Sequence, residues 1–460
     1  MSMDSVNLSE VAGWCGGQLK GRGDQEVRRV ETDSRKVQPG DLFVALIGDR
    51  YDAHGFLKDV IERGASAALV QADRMEADGF VGADFSWVEV PDSLTGLQHL
   101  ASGYRKRLPA RVVGVTGSNG KTSTKEFTAA VLRSRMSVWA TEGNLNNHIG
   151  VPLTLLRGNR DHGAAVIEMG MNHAGEIAPL AGMAAPEVGI ITNIGVAHIE
   201  HLGSREAIAA EKGALAAAIS ARGTVVLNAE DEYCGFIAGM TAARVLTAGI
   251  GCGEVQAIEL RPWESGTRFS LVHEGERAEV TLAVPGRHMV LNATLAAAAG
   301  VALDIPLADA ARGLCEQVAV RGRLQWRNVC GIRFLDDSYN ANPDSMEAAI
   351  ATLAQTPVSG LRVGVLGRMG ELGSFAEEGH RRVGRAAARL GLDWLITVGS
   401  EADWIAQEAR ACGLKRVDGV GDVREAANLI RGQVGEDDVV LVKGSRSAGM
   451  ERVMEEVERL

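Results

Sequence analysis

A lysine and a hydroxyl placed side by side behind a glycine turn can hold a phosphate group and a divalent cation. The stretch Thr116-Gly117-Ser118-Asn119-Gly120-Lys121-Thr122-Ser123 offers that pair. An apolar run, 112–115, rises into it and a helical pattern, 123–134, follows, the strand–loop–helix setting that a phosphate loop requires. Glycine lets successive backbone N–H groups converge on one concavity with no Cβ in the way. The helix N-terminus adds its partial positive charge. In that geometry Lys121 reaches the β- and γ-phosphates of a nucleoside triphosphate, and the Thr122 hydroxyl ligates Mg²⁺. The spacing departs from the common pattern. Val115 stands five residues before Gly120, where a glycine is usual, and the glycines fall at 114, 117 and 120.

Strand and helix patterns alternate from 112 to 228. Strands are expected at 112–115, 138–140, 164–168, 188–192 and 224–228, with helices at 123–134, 150–156, 174–184 and 204–220. Such alternation predicts a parallel sheet covered on both faces, with ligands beyond the carboxyl ends of its strands. Polar residues gather at those ends. Thr141 to His148 include Asn144, Asn146 and Asn147, a loop dense in amide donors. The strand 164–168 ends in Glu168, well placed to share a Mg²⁺ with Thr122 and phosphate oxygens. After 188–192 come Asn193 and, further on, His198. Lys212 lies in the apolar helix 204–220, where a lone lysine usually reaches out to solvent.

Length and composition bound the rest. A chain of 460 residues suggests about three domains. The formal net charge of −11 argues against a nucleic-acid partner, which needs a basic face. Six cysteines at 15, 234, 252, 315, 330 and 412 form no C-x-x-C pair, so neither zinc nor a disulfide framework is expected, and a reduced, cytoplasmic setting follows. No basic-then-apolar leader opens the chain and no stretch reads as a membrane span.

The expected architecture is α/β in three domains. A small N-terminal α/β domain covers 1–109, a central P-loop parallel-sheet domain 110–319, and a C-terminal Rossmann-like domain 320–460. In the first, a helix is expected at 5–18 and strands at 27–32, 42–46, 67–70 and 87–90. Ser34 and Arg35, and His54, fall on loops between these elements. An arginine beside a hydroxyl there suits either a diphosphate or plain solvent. Residues 244–284 read as a β-rich insertion. An alanine-rich helix is expected at 292–302, with Asn292 either capping it or offering its amide to a base edge. The third unit opens at Arg321-Gly322-Arg323. Its strand 332–335 ends in Asp336-Asp337-Ser338-Tyr339-Asn340-Ala341-Asn342-Pro343, and its last strand, 439–443, in Lys443-Gly444-Ser445-Arg446. It lacks the G-x-G-x-x-G fingerprint, so no dinucleotide is indicated.

Several of these stretches, in order, carry a family resemblance: the phosphate loop, Gly143-Asn144-Leu145-Asn146-Asn147-His148-Ile149-Gly150-Val151-Pro152, Glu168-Met169-Gly170-Met171-Asn172, Thr192-Asn193-Ile194-Gly195-Val196-Ala197-His198, the Asp336 cluster and the Lys443 cluster. The chain resembles the Mur ligases of bacterial cell-wall synthesis along essentially its whole length, and within them the MurF type. That family shares the offset glycine spacing. The resemblance implies an ATP- and Mg²⁺-dependent amide ligase whose partners are UDP-N-acetylmuramoyl-tripeptide and D-alanyl-D-alanine. The tripeptide carboxylate would be phosphorylated by ATP and then attacked by the dipeptide amine. By the same resemblance Thr122 and Glu168 hold one Mg²⁺, and His198 helps with a second. Lys212 takes the place of a lysine carbamylated in related ligases, where the carbamate helps hold Mg²⁺. Asn292 and Asn340 face adenine, Arg323 the phosphates and Asp337 the ribose. Ser34, Arg35 and His54 receive the UDP end, and Asn144, Asn146 and Asn147 lie beside the substrate. The diaminopimelate-adding siblings usually carry Asp-Asn-Pro-Arg, which is absent here. The stretch Leu366-Gly367-Arg368-Met369-Gly370-Glu371-Leu372-Gly373 fits the dipeptide-adding subtype, except that Arg368 stands where aspartate is usual. A sibling amide ligase and a non-ligase P-loop protein are the competing readings. A monomer that closes on its substrates is expected.

Overall fold

The computed structural model describes residues 3–74, 85–316 and 320–460. Among these the chain builds three principal sheets, of five, nine and six strands. The first runs Gln18–Lys20, Ser86–Val90, Ala67–Gln71, Asp41–Val44, Arg29–Glu31 across its width. Only its Gln18–Lys20 edge is antiparallel. The helix expected at 5–18 is Leu8–Cys15. Asn7 and Glu10 close a reciprocal capping box at its start, and Val6–Asn7 pairs instead with Glu26–Val27.

The central sheet carries the phosphate-loop strand Arg111–Thr116 between Ala164–Glu168 and Val188–Ile191. Val112, Val113 and Val115 are fully buried, as expected of a parallel strand covered on both faces. The region 244–284 is not an insertion. Arg244–Ile250 pairs in parallel with Thr224–Asn228, Val255–Trp263 continues the parallel run, and Gly266–His273 and Glu276–Leu282 close the edge antiparallel. Short apolar runs between glycine turns reveal strands, but not which sheet edge they join.

The alanine-rich helix begins earlier than its apolar pattern suggests. It spans Arg287–Ala302 behind the N-cap Gly286, so Asn292 sits inside it and is no cap. Its alanines and Gly300 let it lie close against the phosphate-loop helix Lys121–Arg133. A Cβ on Gly300 would come within 2.5 Å of Val131 Cγ1. This packing brings Asn292 to the phosphate loop itself, where a Cβ on Gly120 would lie 2.5 Å from Asn292 Oδ1.

The third sheet is ordered Gln325–Val329, Ile332–Asp337, Val439–Lys443, Arg362–Gly367, Trp394–Val398, Val417–Val420, all parallel but the first. Its carboxyl edge carries the Asp337 and Lys443 clusters. The edge strands Gln325–Val329 and Val417–Val420 are additions to the sequence reading, as is the closing helix Arg452–Arg459. Both strands are short and half-polar, so neither shows an apolar run. The expected boundary at 319/320 falls at residues 317–319, outside those described. Among the described residues no helix is long and apolar enough to cross a membrane.

Candidate active site

Glycine makes the phosphate loop possible at two positions. Gly117 has φ +147°, and a Cβ there would collide with the Thr192 hydroxyl, while Gly120 has φ +79° and caps Lys121–Arg133. The neighbouring strand-end loop locks Ser118 and Asn119 in place. Ser118 N donates to Asn193 O (2.9 Å), Asn119 N to Asn193 Oδ1 (3.0 Å), and Gly195 N to Ser118 Oγ (2.9 Å). The Thr192 hydroxyl and the Asn193 amide both donate to Asn119 O. Among the described residues the N–H groups of Lys121, Thr122 and Ser123 have no protein acceptor. Three free donors at the start of a 13-residue helix form an anion cradle. Lys121 folds over the loop and donates to Gly117 O at 2.7 Å. Burial pulls its amine below the ordinary lysine range, Glu168 and Glu371 opposing and Arg323 assisting.

Glu168 is 2% exposed at the end of its strand. Asn146 donates to its Oε1 at 2.7 Å, and its Oε2 is buried with no hydrogen-bond partner among the described residues. A buried carboxylate oxygen without a partner is costly unless a cation completes it. Lys212 does not reach solvent. It is 1% exposed, and its amine is driven well below the ordinary range, first by burial and then by the Lys121 charge. His198 sits at φ +63° ahead of the short helix Ile199–Leu202. Its Nδ1 is 2.8 Å from Glu371 Oε2 of the third unit. That contact holds the Glu371 carboxyl below its usual range.

Between the phosphate loop and the third unit lies a cavity of about 470 Å³. Asn119, Ser123, Asn292, Arg323, Asp337 and Lys443 are among its walls. Three of the residues expected at adenine, phosphates and ribose therefore converge there: Asn292, Arg323 and Asp337. Arg323 stacks 4.4 Å from the centre of the Tyr339 ring. Asn340 is exposed and does not line the cavity; its Oδ1 accepts from Ala341 N at 2.9 Å.

The loops of the first sheet are different. Arg35 is exposed and paired with Asp33 at 2.8 Å, beside Ser34 in a short 3₁₀ turn. The His54 side chain is 6% exposed, with both ring nitrogens in use. Nδ1 meets Asp52 Oδ1 at 2.6 Å and Nε2 accepts from Gln71 N at 2.9 Å, so its ring has no nitrogen to offer a ligand. In the asparagine-rich loop Asn144 is exposed, Asn146 holds Glu168, and Asn147 Oδ1 accepts from Gly150 N at 2.8 Å, just ahead of the helix Gly150–Leu155.

Four residues that the fold brings to the cavity had no role assigned from the sequence, although Asn193 and Lys443 were noted at strand ends. Lys443 is buried and donates to Asp337 Oδ2 (2.6 Å) and Asn340 O (2.9 Å). Its place at a strand end was the available signal. Asn193 had the same signal. His288 lines the cavity one turn before Asn292, and burial pushes its imidazole down to about 4. Asp344, in the first turn of Pro343–Gln355, also lines it, and only the tertiary structure reveals that.

Known proteins match over the whole chain. The Mur ligase middle-domain model covers residues 115–300, the Mur ligase glutamate ligase domain 322–446, and the Mur ligase family catalytic domain 26–105. The UDP-N-acetylmuramoyl-tripeptide–D-alanyl-D-alanine ligase of Escherichia coli K12 is 38% identical, over 98% of each chain. A crystal structure of MurF from Acinetobacter baumannii superposes with a TM-score of 0.91 at 32% identity, covering both chains in full. The MurF ligase of Thermotoga maritima, solved in complex with ADP, superposes at 0.83 with 29% identity, covering 94% of this chain and 97% of its own. The chain belongs to the Mur ligase family, in its MurF-type branch.

Proposed function

We propose that this chain is the ATP-dependent ligase that joins D-alanyl-D-alanine to UDP-N-acetylmuramoyl-tripeptide in peptidoglycan precursor synthesis. The full-length likeness to the Escherichia coli ligase of that name carries the reading. The cavity between a phosphate loop and a third-unit wall supplies a fitting geometry. ATP phosphorylates the tripeptide carboxylate, the dipeptide amine attacks the acyl phosphate, and amide, ADP and phosphate leave. Two anions must approach for the first step. Lys121 and the free N–H groups of Lys121, Thr122 and Ser123 offset that repulsion at the phosphates.

The residues present suit Mg²⁺. Mg²⁺ favours one or two carboxylates with phosphate oxygens over an all-protein cage. Glu168 brings a buried, unpartnered Oε2, and Thr122 a hydroxyl on the adjacent helix. His198 stands at the same strand-end edge. When bound there, the ion would neutralise phosphate charge. Asn146 holds Glu168 in the orientation this requires. Lys212 is buried, and burial makes its amine give up a proton more readily than an ordinary lysine, which favours reaction with CO₂. We assign it as a carbamylated lysine. Asn292, Arg323 and Asp337 receive the nucleotide, and Ser34 and Arg35 the UDP end. The enzyme works as a monomer in the cytoplasm, with units bounded near 109 and 319.

The test is phosphate release from ATP in two mixtures. One holds UDP-N-acetylmuramoyl-tripeptide and D-alanyl-D-alanine; the other holds the UDP-dipeptide substrate with diaminopimelate or lysine. Turnover confined to the first is expected, with a product heavier by one D-alanyl-D-alanine unit. Turnover confined to the second would move the chain to a sibling activity.

A further inference from the structure

The third unit touches the phosphate loop through the N-terminus of the helix Pro343–Gln355. Its N-cap Asn342 accepts from Ser345 N through Oδ1 (2.9 Å), which turns Nδ2 outward to donate to Asn119 Oδ1 at 2.7 Å. Asp344 Oδ2 accepts the Val196 N–H at 3.0 Å, across the gap between the two units. Arg382 holds the other oxygen at 2.9 Å and is itself fixed by Glu347 at 2.8 Å. Gly195 makes the approach possible, because a Cβ there would overlap Asp344 Oδ2.

The gripped loop, 192–198, is the one that grips the phosphate loop. Asn193 and Gly195 bond Ser118 and Asn119, and Thr192 bonds Asn119 O. Asn119 is therefore held from two sides, by 192–195 and by Asn342. Neither unit can shift without disturbing the shape of the anion cradle.

We propose that Asp344 is a positioning residue that couples docking of the third unit to the nucleotide-binding form of the phosphate loop. Two events that share one set of hydrogen bonds favour each other reciprocally. This rests on the ATP-dependent ligase reading and adds to it the group that carries the coupling.

The experiment is calorimetric titration of the full chain with ADP, alongside the KM of each substrate. Asp344→Ala should weaken ADP binding about tenfold, the usual scale for losing a hydrogen bond to a charged acceptor. The KM for ATP should rise in parallel while that for the UDP-tripeptide stays within about twofold. Asp344→Asn keeps an acceptor oxygen for Val196 N–H but turns its NH₂ toward Arg382, so it should recover part of the affinity that Asp344→Ala loses. Gly195→Ala, which crowds Asp344 without altering it, should reproduce the Asp344→Ala defect, and the double variant should be no worse than either. Unchanged ADP affinity in Asp344→Ala would overturn the proposal. So would an Asn variant no better than Ala, or a parallel rise in all KM values. Titration with ADP requires no acceptor amine. A chain whose ADP binding depends on Asp344 but which never forms an amide would keep the coupling and lose the ligase reading.

Discussion

The phosphate loop and the loops of the first sheet both present polar residues at strand ends, yet they differ in what those residues have left to give. Around Lys121 the loop 192–195 holds Ser118 and Asn119 in place, while among the described residues three backbone N–H groups and one Glu168 oxygen have no partner. Around His54 the bonding is inverted. The imidazole is spent on Asp52 and Gln71, and the exposed Arg35 is spent on Asp33. A ligand site is marked by unsatisfied groups on a satisfied frame. Polar composition alone does not distinguish the two.

The sharpest way to break this contrast is at the open groups. Lys121→Ala should lower kcat by about a thousandfold or more, on the order of 4 kcal/mol of transition-state stabilisation, with the melting temperature maintained. Near-parental turnover would remove the phosphate-loop assignment. Lys212→Ala should fall by about a hundredfold or more. Short-chain carboxylic acids added to that variant should restore part of the rate, because they return a negative oxygen to the vacated space. No rescue at any concentration would leave Lys212 as a buried packing amine. Asn146→Ala loosens Glu168 rather than removing it. Activity should drop about tenfold to a hundredfold and recover as Mg²⁺ is raised, the pattern of a group that orients a metal ligand. A loss that Mg²⁺ cannot repair would place Asn146 on the substrate instead.

At His54 the effect should reverse in kind. His54→Ala strands the Gln71 N–H and frees Asp52, so it should cost about 1–3 kcal/mol of stability. Any change in KM for the UDP-tripeptide should then follow the unfolding. Arg35→Ala should leave the melting temperature alone, since an exposed ion pair contributes little, and should raise that KM a few-fold. If His54→Ala instead raised KM at full stability, the inverted reading of the first sheet would fail.

What could be read without coordinates follows the same division. Backbone geometry forced by residue type was legible. Gly117 and Gly120 announce left-handed φ, and Val112, Val113 and Val115 announce a strand buried on both faces. The three-layer alternation followed from them. Tertiary bookings of side chains were not legible. Asn292 looked like a helix start because Arg287 and His288 interrupt the apolar pattern, yet the helix runs from Arg287. Lys212 looked like a solvated lysine because one-dimensional pattern cannot show that the elements around it leave it no path outward. Asp344 drew no reading from the sequence, and only the facing loop turns it into a contact between units.

His288 offers the smallest and most specific test. Its imidazole is held at about 4, first by burial, with Lys443 assisting and Asp337 opposing. An unfolded histidine takes up its proton near 6.5. Between those values the unfolded chain binds a proton that the folded chain does not. Stability contributed by neutral His288 is thus complete above about 6.5 and falls as pH drops toward 4. Because the ring borders a cavity that admits solvent, the loss between pH 6.5 and 5 should be only about 1 kcal/mol. His288→Asn should remove that share of the pH dependence, so its melting temperature should decline less than the parent's over the same interval. His380, also held low by burial, is present in both proteins and cancels in the difference. ADP at saturating concentration should steepen the parent's decline if nucleotide closes the cavity over the ring, since a more completely buried imidazole resists its proton further. Parallel curves for the two proteins would mean that His288 titrates as it does in water and does not stand against the nucleotide wall at all.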